Sequence, residues 1–228
     1  MDLSQLQSFL TDNPKDNLDK LHNQFGRDMV FSTSFGIEDQ YITYLISKME
    51  HPVSIFTLDT GRLFPETYDV WSRTLIRYKL PITPFFPNQD KLQAMIEKKG
   101  PNSFYYSVED RKECCRIRKI DPLQQAIKGR KLWVTGLRAE QSDSRNGLSQ
   151  LEYDEHNNII KYHPLLNLTW DELNQVVDDN NIPINTLHKK GFPSIGCQPC
   201  TRAVMENEDF RAGRWWWENS NKECGLHS

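Results

Sequence analysis

The chain has 228 residues, 37% apolar and 26% charged, which is long enough for one sizeable α/β domain, short for two, and unlike a disordered composition. Its formal net charge of −3 gives no global attraction to nucleic acid or an anionic membrane. No stretch approaches the roughly 20 apolar residues that span a bilayer, and Met1–Lys15 has no cationic start followed by an apolar run, so a soluble, cytoplasmic protein is expected.

Met29–Thr33 reads as a buried strand, followed by a loop and a helix from about Glu38 to Ser47. Val53–Leu58 is a second strand, running into Asp59-Thr60-Gly61 and then a helix opened by Pro65 and Glu66. Ile82–Phe86 is a weaker strand, because Pro84 removes a ladder donor. Gln89–Lys98 is predicted helical and stopped by Gly100-Pro101, and Arg111–Ile120, free of Gly and Pro, is predicted helical throughout. Lys131–Gly136 is a further strand. Leu151–Tyr153 and Ile159–Tyr162 flank a turn as a hairpin. Trp170–Asn180 is an amphipathic helix capped by Thr169, with Glu172 completing a capping box. Trp215-Trp216-Trp217 cannot all face one core on any regular element, so at least one is expected to be partly exposed.

Alternating strands and helices predict an α/β fold: a mostly parallel sheet with helices on both faces. Ligands of such sheets bind beyond the carboxyl ends of the strands. Three strand ends carry small or polar loops: Ser34-Phe35-Gly36, Asp59-Thr60-Gly61 and Gly136-Leu137-Arg138.

The five cysteines are unevenly spaced, and in a reducing compartment they read as ligands or catalysts before disulfides. Cys114 and Cys115 are adjacent. On a helix they point about 100° apart and so span a broad object better than a small ion. A strained vicinal disulfide is the plain alternative. Cys197-Gln198-Pro199-Cys200 is a C-x-x-C knuckle. Four thiolates fit either zinc or a [4Fe–4S] cube, and the adjacent pair favours the cube, with structural zinc as the rival. Residues Arg111 to Lys131 hold eight basic and two acidic residues: either a solvated helix face or a cationic pocket for a cluster and an anionic substrate. Lys119, four residues after Cys115, shares its helix face. Cys224, between Lys222 and His227, is either a stray surface thiol or an activated nucleophile on a flexible tail.

Taken together, Cys114-Cys115-x-x-x-Lys119, Cys197-Gln198-Pro199-Cys200-Thr201-Arg202, Arg211-Ala212-Gly213-Arg214-Trp215 and Lys222-Glu223-Cys224-Gly225-Leu226-His227 resemble assimilatory adenylyl-sulfate reductases. Ser32–Gly36 and Leu58–Arg62 also look like that family's nucleotide loops. The resemblance implies a fold like that of the adenine-nucleotide α-hydrolases (ATP pyrophosphatases), with residues 1–210 as the reductase domain and 211–228 as a mobile, cysteine-bearing tail of the same domain. It implies a [4Fe–4S] cluster on Cys114, Cys115, Cys197 and Cys200, with Lys119 between cluster and substrate and Arg211 and Arg214 at the phosphosulfate. Ser34, Gly36, Asp59, Thr60, Gly61, Arg62 and His227 join the expected substrate residues, and Arg138 does so by its place at a strand end. By the same resemblance Cys224 attacks the sulfur of adenosine 5′-phosphosulfate, AMP leaves, and thioredoxin releases sulfite from the thiosulfonate, a step of sulfate assimilation and cysteine biosynthesis. No nucleic-acid or membrane partner is expected; assembly into homo-oligomers is left open.

Three alternatives stand beside this. The nearest is reduction of the 3′-phosphorylated substrate, whose specialised relatives generally lack the four cluster cysteines. An ATP-dependent ligase on the same fold is disfavoured because Phe35-Gly36-Ile37-Glu38-Asp39 replaces the S-G-G-x-D-S loop. A zinc-stabilised binding module is the non-enzymatic alternative.

Overall fold

The computed structural model describes residues 3–141 and 147–218. Its helices are α1 (Leu3–Ser8), α2 (Pro14–Phe25), α3 (Ile37–Ile46), α4 (Pro65–Tyr78), α5 (Gln89–Lys99), α6 (Val108–Cys115), α7 (Asp121–Ile127) and α8 (Trp170–Asp179). Its strands are β1 (Met29–Thr33), β2 (Ser54–Leu58), β3 (Ile82–Phe85), β4 (Leu132–Val134), β5 (Leu151–Asp154) and β6 (Ile159–Tyr162). The chain divides into two compact units. One comprises the chain up to Phe56, Glu66–Thr83 and Gly129–Thr186; the other comprises Thr57–Pro65, Pro84–Lys128 and the chain from Leu187.

The strands form one sheet in the order β3-β2-β1-β4-β6-β5. β1, β4 and β6 run parallel, with Met29 opposite Leu132 and Leu132 opposite Ile160. β5 returns antiparallel against β6, as the predicted hairpin. β3 lies at an edge, where the donor missing from Pro84 is tolerated. After β1 the chain builds outward through β2 and β3, then comes back to lay β4 on the other side of β1. The order therefore reverses between β1 and β4, the kind of switch point at whose carboxyl ends ligands of such sheets bind.

In the first unit, Leu18, Leu21, Phe31, Ile42, Ile46, Val70, Leu132 and Tyr162 share one core. Each such side chain contributes about 1.5–3 kcal/mol on burial. Ile37 meets Leu173, Val177 and Ile182 in a separate cluster that seats α8, whose Thr169–Glu172 capping box is present as predicted. Helices α1 and α2 are additions to the predicted elements. The signal for α2 is Asn13-Pro14: the Asn13 side chain accepts from the Lys15 and Asp16 amides, and proline occupies the first turn.

In the second unit, Met95, Phe104, Ile117 and Trp215 pack with Cys114, Cys197 and Cys200. The helix expected over Arg111–Ile120 is not uniform. It is α-helical to Cys115, then a π-helical turn over Arg116–Ile120, where the Asp121 N–H reaches back to the Arg116 carbonyl. Pro122 explains this, because without an N–H it cannot carry the α-helical ladder across that point. Residues 211–218, expected as the start of a mobile tail, are packed: Arg202 N–H donates to Gly213, and Trp215 N–H to Cys200. Of the three tryptophans Trp215 is buried and Trp216 is exposed. Among the described residues no helix is long and apolar enough to cross a membrane.

Candidate active site

At the switch point of the first unit, β1 runs into Ser34-Phe35-Gly36. Phe35 adopts φ 61°, a left-handed conformation that costs a non-glycine residue roughly 1–2 kcal/mol. Its ring is buried and stacks on Trp71 at 5.3 Å, which offsets that cost. Gly36 caps α3 through its carbonyl, which accepts from Gln40 N–H at 2.9 Å. Asp39, in the first turn of α3, accepts from both the amide (2.5 Å) and the hydroxyl (2.7 Å) of Ser34. Burial pushes the Asp39 carboxyl up to about 7, against the two Ser34 hydrogen bonds and with help from neighbouring Glu38. The loop after β4 closes on this carboxylate. A Cβ on Gly136 would lie 2.1 Å from Asp39 Oδ1, so only glycine fits there.

Arg138, expected at the substrate, is engaged within the protein. Its guanidinium is fully buried, donates to Glu38 Oε1 (3.0 Å), Glu140 Oε2 (2.8 Å) and the Leu168 carbonyl (3.1 Å), and lies over Trp170. Its charge is already matched by two carboxylates. It ties the loop after β4 to α3 and to the start of α8.

In the second unit, Cys114, Cys115, Cys197 and Cys200 line one cavity together with Arg62, Phe104, Arg111, Arg118, Lys119 and Pro199. None of the four is joined in a disulfide to another described residue. Arg111, Cys114, Cys115 and Arg118 follow an i, i+3, i+4, i+7 spacing, so one stripe supplies two thiols and two guanidinium groups. The loop Asp59–Arg62 braces the knuckle: Thr60 Oγ1 lies 3.3 Å from Cys197 Sγ, and Gln198 N–H donates to the Arg62 carbonyl at 2.8 Å. Arg118 in turn donates to the Thr60 carbonyl at 2.6 Å, and Gly61 N–H donates to Asp59 Oδ1 at 2.8 Å. Arg62 donates to Asn102 and Pro101 and lies over Phe104. Asp59 to Arg62 were expected at the nucleotide; the contacts seen here are with the cysteine knuckle and its supports.

The electrostatics of the thiols are uneven. For Cys197 burial works against ionisation, yet Lys119, the Thr60 hydroxyl, Arg214 and Arg118 together hold it below the usual thiol range. Cys200 is pushed up to about 12 by burial and by Cys197 and Cys115. Burial also raises Cys114, against the pull of Arg118. Arg214 is buried over Trp215 (4.9 Å) and presses on Gly196, where a Cβ would lie 2.5 Å from its guanidinium carbon. Arg211 is half-buried, with its N–H on Asp209. Cys224 and His227 lie outside the described residues.

Among the described residues no three His, Cys, Asp or Glu side chains converge as around a single metal ion. The four thiols ring a cavity, and three buried donors, Arg118 Nε on its lining and Arg214 Nε and Trp215 Nε1 near the cysteines, have no hydrogen-bond partner among the described residues. Four thiols, converging cations and unpaired donors fit a thiolate-ligated anionic group such as a [4Fe–4S] cluster. Sequence reasoning left Arg111 and Arg118 unassigned, and placed Thr60 with the substrate residues without its contact to Cys197. The arginines lay inside the basic run, and their spacing from the cysteines was the available signal.

Residues 28–203 match the model of the phosphoadenosine phosphosulfate reductase domain. Adenosine 5′-phosphosulfate reductase of Agrobacterium fabrum is 48% identical over 89% of this chain and 78% of that protein. The Neisseria meningitidis serogroup B enzyme of the same name is 47% identical over 91% and 86%. Among solved structures, phosphoadenylyl-sulfate reductase from Candida auris, a phosphate complex, superposes with a TM-score of 0.76 at 26% identity, covering 89% of this chain and 96% of that one. FMN adenylyltransferase of Candida glabrata, at TM-score 0.59 and 17% identity, shares the fold. This chain therefore belongs to the phosphoadenosine phosphosulfate reductase family, enzymes built on the adenine-nucleotide α-hydrolase-like fold.

Proposed function

We propose that the chain reduces adenosine 5′-phosphosulfate to sulfite and AMP, with Cys224 as nucleophile and a thioredoxin as electron donor in the cytoplasm. The carrying observation is the cavity in which four cysteines and the cations Arg62, Arg111, Arg118 and Lys119 converge; Cys224, the fifth cysteine of the sequence, is assigned to the chemistry. Cys114, Cys115, Cys197 and Cys200 would hold a [4Fe–4S] cluster, which when bound supplies a negatively charged, polarisable inorganic core.

Lys119, Arg211 and Arg214 are assigned to the phosphosulfate, whose charge must be offset before a thiolate can approach. Ser34 and Gly36 are assigned to the nucleotide, and His227 to the substrate beside Cys224. Asp59, Thr60, Gly61 and Arg62 are assigned to the substrate as well; Thr60 and Arg62 also hold the Cys197–Cys200 knuckle, and the Gly61 N–H on Asp59 fixes the turn. Cys224 Sγ forms a bond to the sulfate sulfur, and the sulfur–oxygen bond to the phosphate breaks, its electron pair leaving on AMP. One thiolate of a dithiol then attacks Cys224 Sγ and expels sulfite. The second thiol resolves the mixed disulfide, so the dithiol supplies both electrons.

The test is anaerobic purification with iron and sulfide analysis, followed by turnover on both the 5′-phosphosulfate and its 3′-phosphorylated form. About four irons per chain, an S-sulfonate mass adduct on Cys224 and preference for the unphosphorylated substrate are expected. A colourless zinc protein, or no adduct, would overturn the assignment. Preference for the 3′-phosphorylated substrate would move the chain to the second reading, which the similarity to the Candida auris enzyme keeps in view.

A further inference from the structure

Glu218 is the last described residue, and it is not loosely held. Arg111 Nε and Nη2 donate to its two carboxylate oxygens at 3.0 and 2.8 Å, a side-on bidentate pair. Both side chains are nearly fully buried, 3% and 5% exposed. The Arg111 guanidinium lies over the Trp215 ring at 4.6 Å, and Trp215 N–H donates to the Cys200 carbonyl at 3.2 Å. Glu218 N–H closes a turn onto the Trp215 carbonyl at 2.9 Å. Arg111 stands three and four residues before Cys114 and Cys115 on α6. Residues 215–218 are thus fastened to both cysteine pairs at once.

Burying an ion pair is a poor route to stability, since desolvation cancels most of the attraction. Its geometric effect is definite, because two parallel hydrogen bonds allow one register and one direction. The stretch from Glu218 to Cys224 is short. Cys224 follows Glu218 by six residues (224 − 218), and at no more than about 3.6 Å per residue its Cα stays within roughly 22 Å of the anchor. One thiol confined to a sphere of that radius has an effective concentration on the order of tens of millimolar.

We propose that Arg111 and Glu218 are positioning residues that fasten the root of the Cys224 segment beside the cysteine site and so set the local concentration of the nucleophile. This inference rests on the reductase reading and adds to it a part of the chain that none of the expected site residues includes. Without the pair, residues 215–218 lose their fixed register, the reach of Cys224 lengthens, and sulfur transfer slows. The intrinsic reactivity of the thiol does not change.

The full-length, cluster-loaded protein is compared with Glu218→Gln and with the conservative Glu218→Asp. Single-turnover S-sulfonation of Cys224 by adenosine 5′-phosphosulfate is expected to fall about fivefold in Glu218→Gln, as the tether lengthens from six to about ten residues, and to recover in part in Glu218→Asp. Iron content, visible absorption and alkylation of Cys224 by iodoacetamide are expected to match the parent. A Gly-Ser pair inserted after Asn221 should slow the parent by about 2.4-fold and Glu218→Gln by less, about 1.7-fold. A Glu218→Gln rate within twofold of the parent overturns the proposal while leaving the reductase reading intact. Loss of iron in Glu218→Gln with no effect of the insertion on the parent overturns it too, by making the pair merely structural. Absence of any sulfonate on the parent overturns the reductase reading itself.

Discussion

Replacing Gly136 with alanine perturbs the switch point at its tightest contact. The added methyl would lie 2.1 Å from Asp39 Oδ1 and 3.3 Å from both Asp39 Cγ and Glu38 Cβ. Asp39 cannot swing aside freely, because its other oxygen holds the amide and hydroxyl of Ser34 at 2.5 and 2.7 Å. Either the β4 loop shifts or those bonds break. Overpacking of this kind costs about 1–3 kcal/mol, and a hydrogen bond to a charged group is worth about 1.5–3 kcal/mol. A net loss of about 2–4 kcal/mol corresponds to a Tm lowered by roughly 5–15 °C in a chain of this size. Thermal unfolding of Gly136→Ala followed by circular dichroism measures it, with AMP affinity as the functional readout, expected to weaken. Asp39→Ala in the same background removes the opposing oxygen and should make the two changes strongly non-additive. A Tm within 2 °C of the parent, or strict additivity of the pair, would show that the contact is not the constraint described.

Asp39 also sets a pH dependence. Its carboxyl is raised to about 7 in the folded chain, so the native state holds a proton that the unfolded state has already released. Its contribution to stability is therefore fully present below about pH 4 and is lost as pH rises through about 7; Asp39→Asn should flatten the slope of Tm between those values. Arg138→Leu leaves buried Glu38 without its cation and is expected to cost about 3–5 kcal/mol, read as a lower denaturation midpoint, and a normal midpoint would reject the buried network. Cys224→Ser should abolish sulfite release while the visible spectrum of the cysteine site persists; normal turnover would exclude Cys224 as the nucleophile. Lys119→Ala should slow S-sulfonation more than it lowers Tm, and unchanged single-turnover kinetics would remove Lys119 from the chemistry.

The alternation of strand and helix, the hairpin and the Thr169–Glu172 cap were legible in the sequence, because each rests on local periodicity and local hydrogen bonds. So was the pairing of two cysteine motifs, since adjacent thiols and a C-x-x-C knuckle have few other uses. The basic run from Arg111 to Lys131 was open to two readings, and the fold divides it. Arg111, Arg118 and Lys119 line the cavity, while Lys112, Arg116, Lys128 and Lys131 face solvent. Local pattern could not decide that, because the π-helical turn at Arg116–Ile120 depends on how Pro122 interrupts the ladder. Nor could it show that Arg138 is consumed by Glu38 and Glu140, that Thr60 serves Cys197, or that Glu218 is seized by Arg111. Sequence alone determined which residue types could do this chemistry and at what spacing. Only tertiary structure decided which cations are already neutralised and which still face the thiols, because that choice depends on partners roughly 60 to 100 positions away, beyond the reach of any local pattern.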